Sequence, residues 1–171
     1  MANLRVWHAS RDPYHCAFRV LRLLVAKNNA VELERVRILD MFLLYPSLLH
    51  RSSMPQPVKT LFRELDIPKP EKIFIRLPSP SSVFQDLRIY QNSAIAQLVA
   101  RGIVTSSGLQ QGLLARSIGE LPEALNKQII QKNLEDGGLT AFLTGPFSTI
   151  PLRGADSMYR KAGLPVRAIA A

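Results

Sequence analysis

The first regular spacing of hydrophobic residues predicts an α-helix that begins near residue 13. Asp12 supplies a side-chain acceptor that can cap a helix, and Pro13 suits the first helical position. The apolar residues behind it recur every three or four positions: Phe18, Leu21, Leu24 and Val25. Asn28 and Asn29 end the pattern, so we expect this helix to stop just before them.

A second helix is predicted over Val31–Tyr45, and its two halves differ in polarity. The first half is amphipathic, whereas Met41–Tyr45 is apolar on nearly every side. A helix end of that kind must be buried on every side, either in a core or against another chain. Pro46 then ends the helix.

Prolines divide the middle of the chain into short pieces. Seven of the 12 prolines lie between Pro46 and Pro80. We expect a short helix at Val58–Leu65 and an extended piece at Ile73–Leu77. The composition is not that of a flexible linker, so we interpret this stretch as a stiff, irregular insertion and a candidate for contact with a partner.

The second half of the chain begins with a helix predicted over Asp86–Arg101, capped by Ser82 or Asp86 and ended by Gly102. The elements expected after it are a turn at Ser106–Gly108, a helix at Leu121–Asp136, a strand at Leu139–Thr144 that ends at Gly145-Pro146, and a short helix at Asp156–Ala162.

These elements predict a mainly α fold with a small β-hairpin, or wing. The order favours a winged-helix-like single domain over residues 1–165, with a proline-rich insertion at about 46–82 and a flexible tail at 166–171. A plain helical domain with an extended tail is the alternative that the pattern leaves open.

The net charge of +9 over 171 residues makes nucleic acid a plausible neighbour. The charge is spread, however, because no run of five or more cations occurs. A basic chain without a basic patch fits one subunit of an assembly as well as it fits a free DNA-binding protein. The single cysteine, the lack of a signal-peptide pattern and the lack of a long apolar run lead us to expect a cytoplasmic protein without a membrane segment.

Residues that could carry chemistry are isolated along the sequence. His8, His15 and His50 stand far apart, without ligands at metal-binding spacing, so we expect no metal. The sequence has no phosphate-binding glycine loop, nucleophile elbow or evident carboxylate pair, so we expect no cofactor and no catalytic residue. Cys16 lies near a helix N-terminus, where its pKa could be lowered, but a small core residue is the commoner role. Asp40 is a lone charge in an apolar run, so we expect it to be paired with an arginine: Arg35, Arg37 or one on a neighbouring chain.

The outer face of the predicted Asp86–Arg101 helix is polar but barely charged. We expect Arg88 and Arg101 at its two ends, together with Arg116, to contact the DNA backbone weakly. Asn92 and Gln97 could in principle read adenine edges, although a solvated helix face would look the same.

Two segments resemble the middle components of bacterial ABC-three component systems. Glu34–Leu49 is similar to their N-terminal signature, an arginine-bearing helix that runs into an aspartate and an aromatic-proline turn: ERVRILDMFLLYPSLL. Leu139–Phe147 is similar to their late apolar segment that ends in Gly-Pro: LTAFLTGPF. The two segments occur in the same order and lie roughly 100 residues apart.

This resemblance implies a small, non-catalytic winged-helix subunit encoded between an SMC/Rad50-like ATPase and an effector, often a nuclease. The Lamassu-type anti-phage systems are the relatives that it suggests, with double-stranded DNA contacted indirectly or through the complex. The residues expected to bind partners lie in the first segment: Asp40, Phe42, Leu43, Leu44, Tyr45 and Pro46.

Three functions therefore compete. The leading one is an accessory subunit that bridges the ATPase and the effector. The second is a winged-helix transcription regulator that binds DNA as a dimer. An enzyme that uses Cys16 or Asp40 is the third, and only isolated residues favour it.

Overall fold

A computed structural model describes residues 8–70, 78–119 and 121–165 of the chain. Most of these residues are helical. The helices are α1 (Pro13–Lys27), α2 (Leu33–Leu44), α3 (Gln56–Glu64), α4 (Pro80–Ala100), α5 (Ser106–Gln110), α6 (Glu123–Glu135), α7 (Leu139–Thr144) and α8 (Met158–Lys161). Short 3-10 turns lie at Ala9–Arg11, Pro46–Arg51 and Phe147–Thr149.

Capping residues define the ends of the long helices. Asp12 accepts hydrogen bonds from the backbone of Tyr14 and His15 at 2.8 and 3.3 Å, and Asn28 ends α1 in the left-handed conformation, with φ of 55°. Both ends of α1 are therefore as predicted. Helix α4 begins earlier than expected, because Ser79 rather than Ser82 or Asp86 is the cap; its hydroxyl accepts from the backbone N–H of Ser82 at 3.1 Å.

A small antiparallel sheet confirms the prediction of a mainly α fold with a hairpin-sized β element. Strand β1 (Val31–Glu32) pairs with β2 (Leu113–Leu114), with Val31 opposite Leu114. An isolated bridge joins Val104 to Arg116 on the continuation of β2. Residues 31–32, which the sequence analysis placed at the start of the second helix, therefore form an edge of this sheet.

The predicted strand at Leu139–Thr144 is wrong, because these residues form α7. Gly137 and Gly138, with φ of 64° and 86°, turn the chain after α6 and allow a second helix to begin at once. Leu139, Phe142 and Leu143 are all buried, and their spacing fits one helical face. The run is too short for its hydrophobic pattern to separate helix from strand.

Smaller boundaries also differ from expectation. The predicted turn at Ser106–Gly108 is the start of α5, and α3 begins at Gln56, two residues before the expected start at Val58. The piece expected at Ile73–Leu77 and the tail at 166–171 lie outside the described residues.

Buried apolar side chains from Cys16 to Leu164 form one cluster, to which the proline-rich segment contributes Val58 and Phe62. Aromatic rings join its parts: the ring centroids of Phe42 and Phe147 lie 5.3 Å apart, and those of Phe62 and Phe142 lie 5.9 Å apart. The apolar end of α2 is thus buried within its own chain. Within the described ranges, no helix is both long and apolar enough to cross a membrane.

Candidate functional site

The Asp40 carboxylate joins three helices in the interior. It is fully buried, with 0% of its surface exposed. Arg19 of α1 donates from Nε to Oδ1 at 2.7 Å and from Nη2 to Oδ2 at 3.2 Å. Gln91 of α4 donates from Nε2 to the same Oδ2 at 2.8 Å. This bidentate ion pair and its amide partner compensate a charge that would otherwise be costly to bury.

The same network continues along α1. Arg19 Nη1 donates to His15 Nδ1 at 2.7 Å, so that ring nitrogen carries no proton. Burial and the neighbouring Arg19 lower the pKa of His15. The Cys16 thiol lies 3.7 Å from Asp40 Oδ2, and burial together with that carboxylate raises its pKa. A buried thiol held in its protonated form is a poor nucleophile.

Two further arginines attach the late helices to the core. Arg22 contacts Asp136 at 2.6 Å and also donates to Asn133 and Thr140, which ties α1 to α6 and α7. Arg35 of α2 pairs with Glu32 at 2.8 Å. Its Nη1 also donates to the carbonyl oxygens of Ser148 and Ile150 at 2.9 and 2.8 Å, where the chain turns after α7.

A second polar cluster surrounds Glu34. The Tyr159 hydroxyl donates to Glu34 Oε2. Burial, and to a lesser degree this hydrogen bond, raises the pKa of Tyr159. Arg37 pairs with Glu34 and donates from Nη2 to Asn92 Oδ1 at 2.6 Å. The cluster therefore connects α2 with α4 and with α8.

The expected pairing of Asp40 with an arginine is present, but the partner is Arg19. Arg35 and Arg37 lie on the same helix as Asp40 but pair with other acids. Arg35 donates to Glu32, and Arg37 donates to Glu34. Arg19 lies 21 residues before Asp40 on another helix, and its burial beside Cys16, Val20 and Leu23 becomes visible only in the structure.

Three of the six residues expected to bind partners lie in the chain's own core. Asp40 and Phe42 are 0% exposed and Leu43 is 8% exposed, so these three side chains pack inside the chain, and their contact with a partner stays a prediction. Leu44, Tyr45 and Pro46 are half-buried and reach the surface, where contact with a partner stays a prediction. Tyr45 lines a cleft of about 770 Å³ beside the first turns of α4.

The three arginines expected to contact DNA do not form one patch. Arg101 is exposed and half-buried Arg116 lies at the bridge to Val104, so both are near the small sheet. Arg88, also half-buried, precedes Arg101 by 13 residues, which is about 20 Å along a helix axis. Of the two residues that could read adenine, Asn92 is bonded to Arg37, and Gln97 donates to Ser93 at 3.4 Å.

No group of three or more His, Cys, Asp and Glu residues suited to a metal ion occurs within the described part of the chain. The expectation that the chain has no metal site remains a prediction.

A family model, Middle Component 5 of ABC-three component (ABC-3C) systems, matches residues 5–167. The chain belongs to this family. The resemblance drawn from Glu34–Leu49 and Leu139–Phe147 is thereby confirmed, and both segments contribute buried residues to the core of this middle component. A search of curated proteins and a search of solved structures found no match.

Removing the central carboxylate should strongly destabilise the middle component. Asp40→Ala leaves the Arg19 guanidinium buried without its counter-charge, so the free energy of unfolding should fall by about 3–5 kcal/mol in chemical denaturation. Asp156→Ala, which removes an exposed partner of Lys161, should change it by less than about 1 kcal/mol. An Asp40→Ala protein as stable as this control would mean that the pair contributes nothing.

The Cys16 thiol should be protected in the folded protein. Folding raises the pKa of this thiol. Its contribution to the free energy of unfolding is therefore fully present below the unfolded pKa of about 8.5 and decreases as the pH rises further. At pH 8, alkylation by iodoacetamide, followed by mass spectrometry, should be at least roughly a hundredfold slower than in urea. Equal rates in both conditions would instead indicate an accessible thiolate.

Proposed function

We propose that this middle component is a non-catalytic accessory subunit that bridges an SMC/Rad50-like ATPase and an effector, a nuclease, in a DNA-sensing anti-phage system of the Lamassu type. The observation that carries the proposal is the family match over residues 5–167, which makes nearly the whole chain the middle component. Such a complex would act in the cytoplasm.

The use of the buried charged groups supports a structural role. Asp40, Arg19 and Arg22 each hold two or more helices together, and their hydrogen-bonding atoms point into the core. Cys16 is 0% exposed and its thiol pKa is raised. Neither residue that an enzyme hypothesis would use is therefore placed to meet a substrate.

The order of elements supports a winged-helix assignment. Helix α1 leads into β1, α2 and α4 follow, and the chain returns through Val104 and β2. Residues 113–116 lie between β1 and Val104, as the middle strand of a wing would. In that assignment α4 takes the place of the helix that reads DNA.

The exposed side of α4 argues against the second candidate, a transcription regulator. This side carries Gln85, Asp86, Ile89, Asn92, Ser93 and Ala96. Its one formal charge is negative, and Ile89 leaves 69% of its surface exposed. A helix that enters a DNA groove needs cations to position it on the phosphates, so this side suits a protein partner better.

Assembly with the neighbouring gene products is the direct test of the proposed function. Co-expression with the ATPase and effector genes encoded beside it should give a complex that survives size-exclusion chromatography. The chain alone should turn over neither nucleotides nor nucleic acids. Turnover that disappears in Cys16→Ala or Asp40→Asn would overturn the non-catalytic role, and a dimer specific for its own promoter would favour the regulator.

DNA binding should be weak and independent of sequence. For the isolated chain, the affinity for several unrelated duplexes should agree and should fall steeply with salt. Each phosphate contact contributes about 0.9 to the log–log slope. Arg101→Ala and Arg116→Ala should reduce that slope, whereas Lys127→Ala on α6 should not. A thousandfold preference for one sequence would contradict the accessory role.

A further inference from the structure

A cleft of about 620 Å³ lies beside α3, on the proline-rich insertion. One wall is the face of α3 that carries Lys59, Phe62 and Arg63, and the opposite wall is the loop of residues 66–69. The floor is apolar: Phe62 and Leu49 are buried against the core, and Met54 lines the cleft beside them. The volume is large enough for several residues of a peptide, with an apolar floor for one or more of its side chains.

The walls of this cleft are fixed to the core. His50 Nε2 donates to the carbonyl oxygen of Ile67 at 2.8 Å, which holds the loop against the 3-10 turn Pro46–Arg51. The His50 ring also packs edge-on against Phe62, with centroids 5.0 Å apart. Phe62 in turn contacts Phe142 of α7. A ligand would therefore meet a largely pre-formed site, which lowers the entropic cost of binding.

The rim of the cleft carries three cations and one acid, Asp66. Lys59, Arg63 and Lys69 are exposed and line the cleft. None of them forms an ion pair or a side-chain hydrogen bond with the residues that the structure describes. Lys59 and Arg63 are also four residues apart on one helix, an arrangement of like charges that slightly destabilises the helix by itself.

Helix α6 carries its exposed charges differently. In α6, Lys127 pairs with Glu123 and Lys132 pairs with Glu135. The Lys59–Arg63 arrangement on α3 therefore differs from that of α6, where two exposed lysines are paired with acids. Ser52 adds a second unmet requirement, because this residue lines the same cleft and its buried Oγ has no hydrogen-bond partner in the described structure.

We propose that this cleft binds an acidic peptide segment of another subunit of the ABC-three component system, with an apolar side chain of that segment seated against Phe62 and Leu49. The carboxylates of the segment would pair with Lys59, Arg63 and Lys69. This inference rests on the proposed function, because it supplies one of the contacts through which the middle component joins its partners.

The apolar floor favours a peptide over a nucleic acid. A phosphate backbone needs a run of cations along an open surface, whereas here the cations surround a hydrophobic socket. An acidic peptide with one buried anchor satisfies both the charge and the floor.

The experiment uses the full chain and fluorescent overlapping peptides that tile the ATPase and effector subunits encoded beside it. Fluorescence anisotropy measures their binding to the wild type, to Lys59→Glu/Arg63→Glu and to a matched control, Lys127→Glu/Lys132→Glu, which changes the net charge equally on exposed α6. Circular dichroism checks the fold, and the milder Lys59→Ala/Arg63→Ala replaces the first variant if that protein does not fold.

We expect one or more acidic peptides with an apolar residue to bind. Their affinity should fall roughly tenfold or more in the cleft variant and by less than about twofold in the control. Binding that is equal in both variants, absence of any binding peptide, or displacement by duplex DNA would each overturn the proposal. If the chain assembles with the ATPase and the effector but no such peptide binds, only the proposed role of the cleft is refuted. If the chain does not assemble with them, the proposed function is refuted.

Discussion

The need to compensate one buried carboxylate constrains the whole arrangement of the early helices. Asp40 lies in a run that is apolar on almost every side, so water cannot solvate it. Its charge is instead met by Arg19 from α1 and by the Gln91 amide from α4. A small displacement of either helix would leave an unpaired buried ion, which costs more than the loss of a few apolar contacts. The network therefore specifies how α1, α2 and α4 meet.

The arginine content of the chain follows in part from the same use of charge. Arg19, Arg22 and Arg35 are largely buried, and each bonds an acid together with other polar groups. Five fixed donors allow one guanidinium to satisfy carbonyl oxygens and carboxylates at once, which lysine cannot do. The net charge of +9 is accordingly a weak argument for DNA binding, because part of the arginine complement serves the interior.

Local signals predicted the long helices better than the contacts between them. Asp12, Pro13 and Asn28 determine the ends of α1 through caps that act within a few residues, so the sequence alone was sufficient there. The partner of Asp40 lies 21 residues away, and no local pattern distinguishes it from the nearer Arg35 and Arg37. The apolar pattern of Leu139–Thr144 does not distinguish a helix from a strand. The turn at Gly137 and Gly138, both with positive φ, is what allows a helix to begin at Leu139.

In this middle component, the buried ion pairs define the shape, and the remaining surface is available for recognition. Buried ion pairs contribute little net stability, but they penalise alternative packings and so favour one defined shape. One defined shape would suit the bridging role proposed above, because a rigid subunit keeps the relative positions of the proteins that it joins. The surface that remains free of these internal pairs is where recognition can occur. Two features of this surface are the weakly charged side of α4 with exposed Ile89 and the cation-rimmed cleft at α3, and both suit proteins better than nucleic acid.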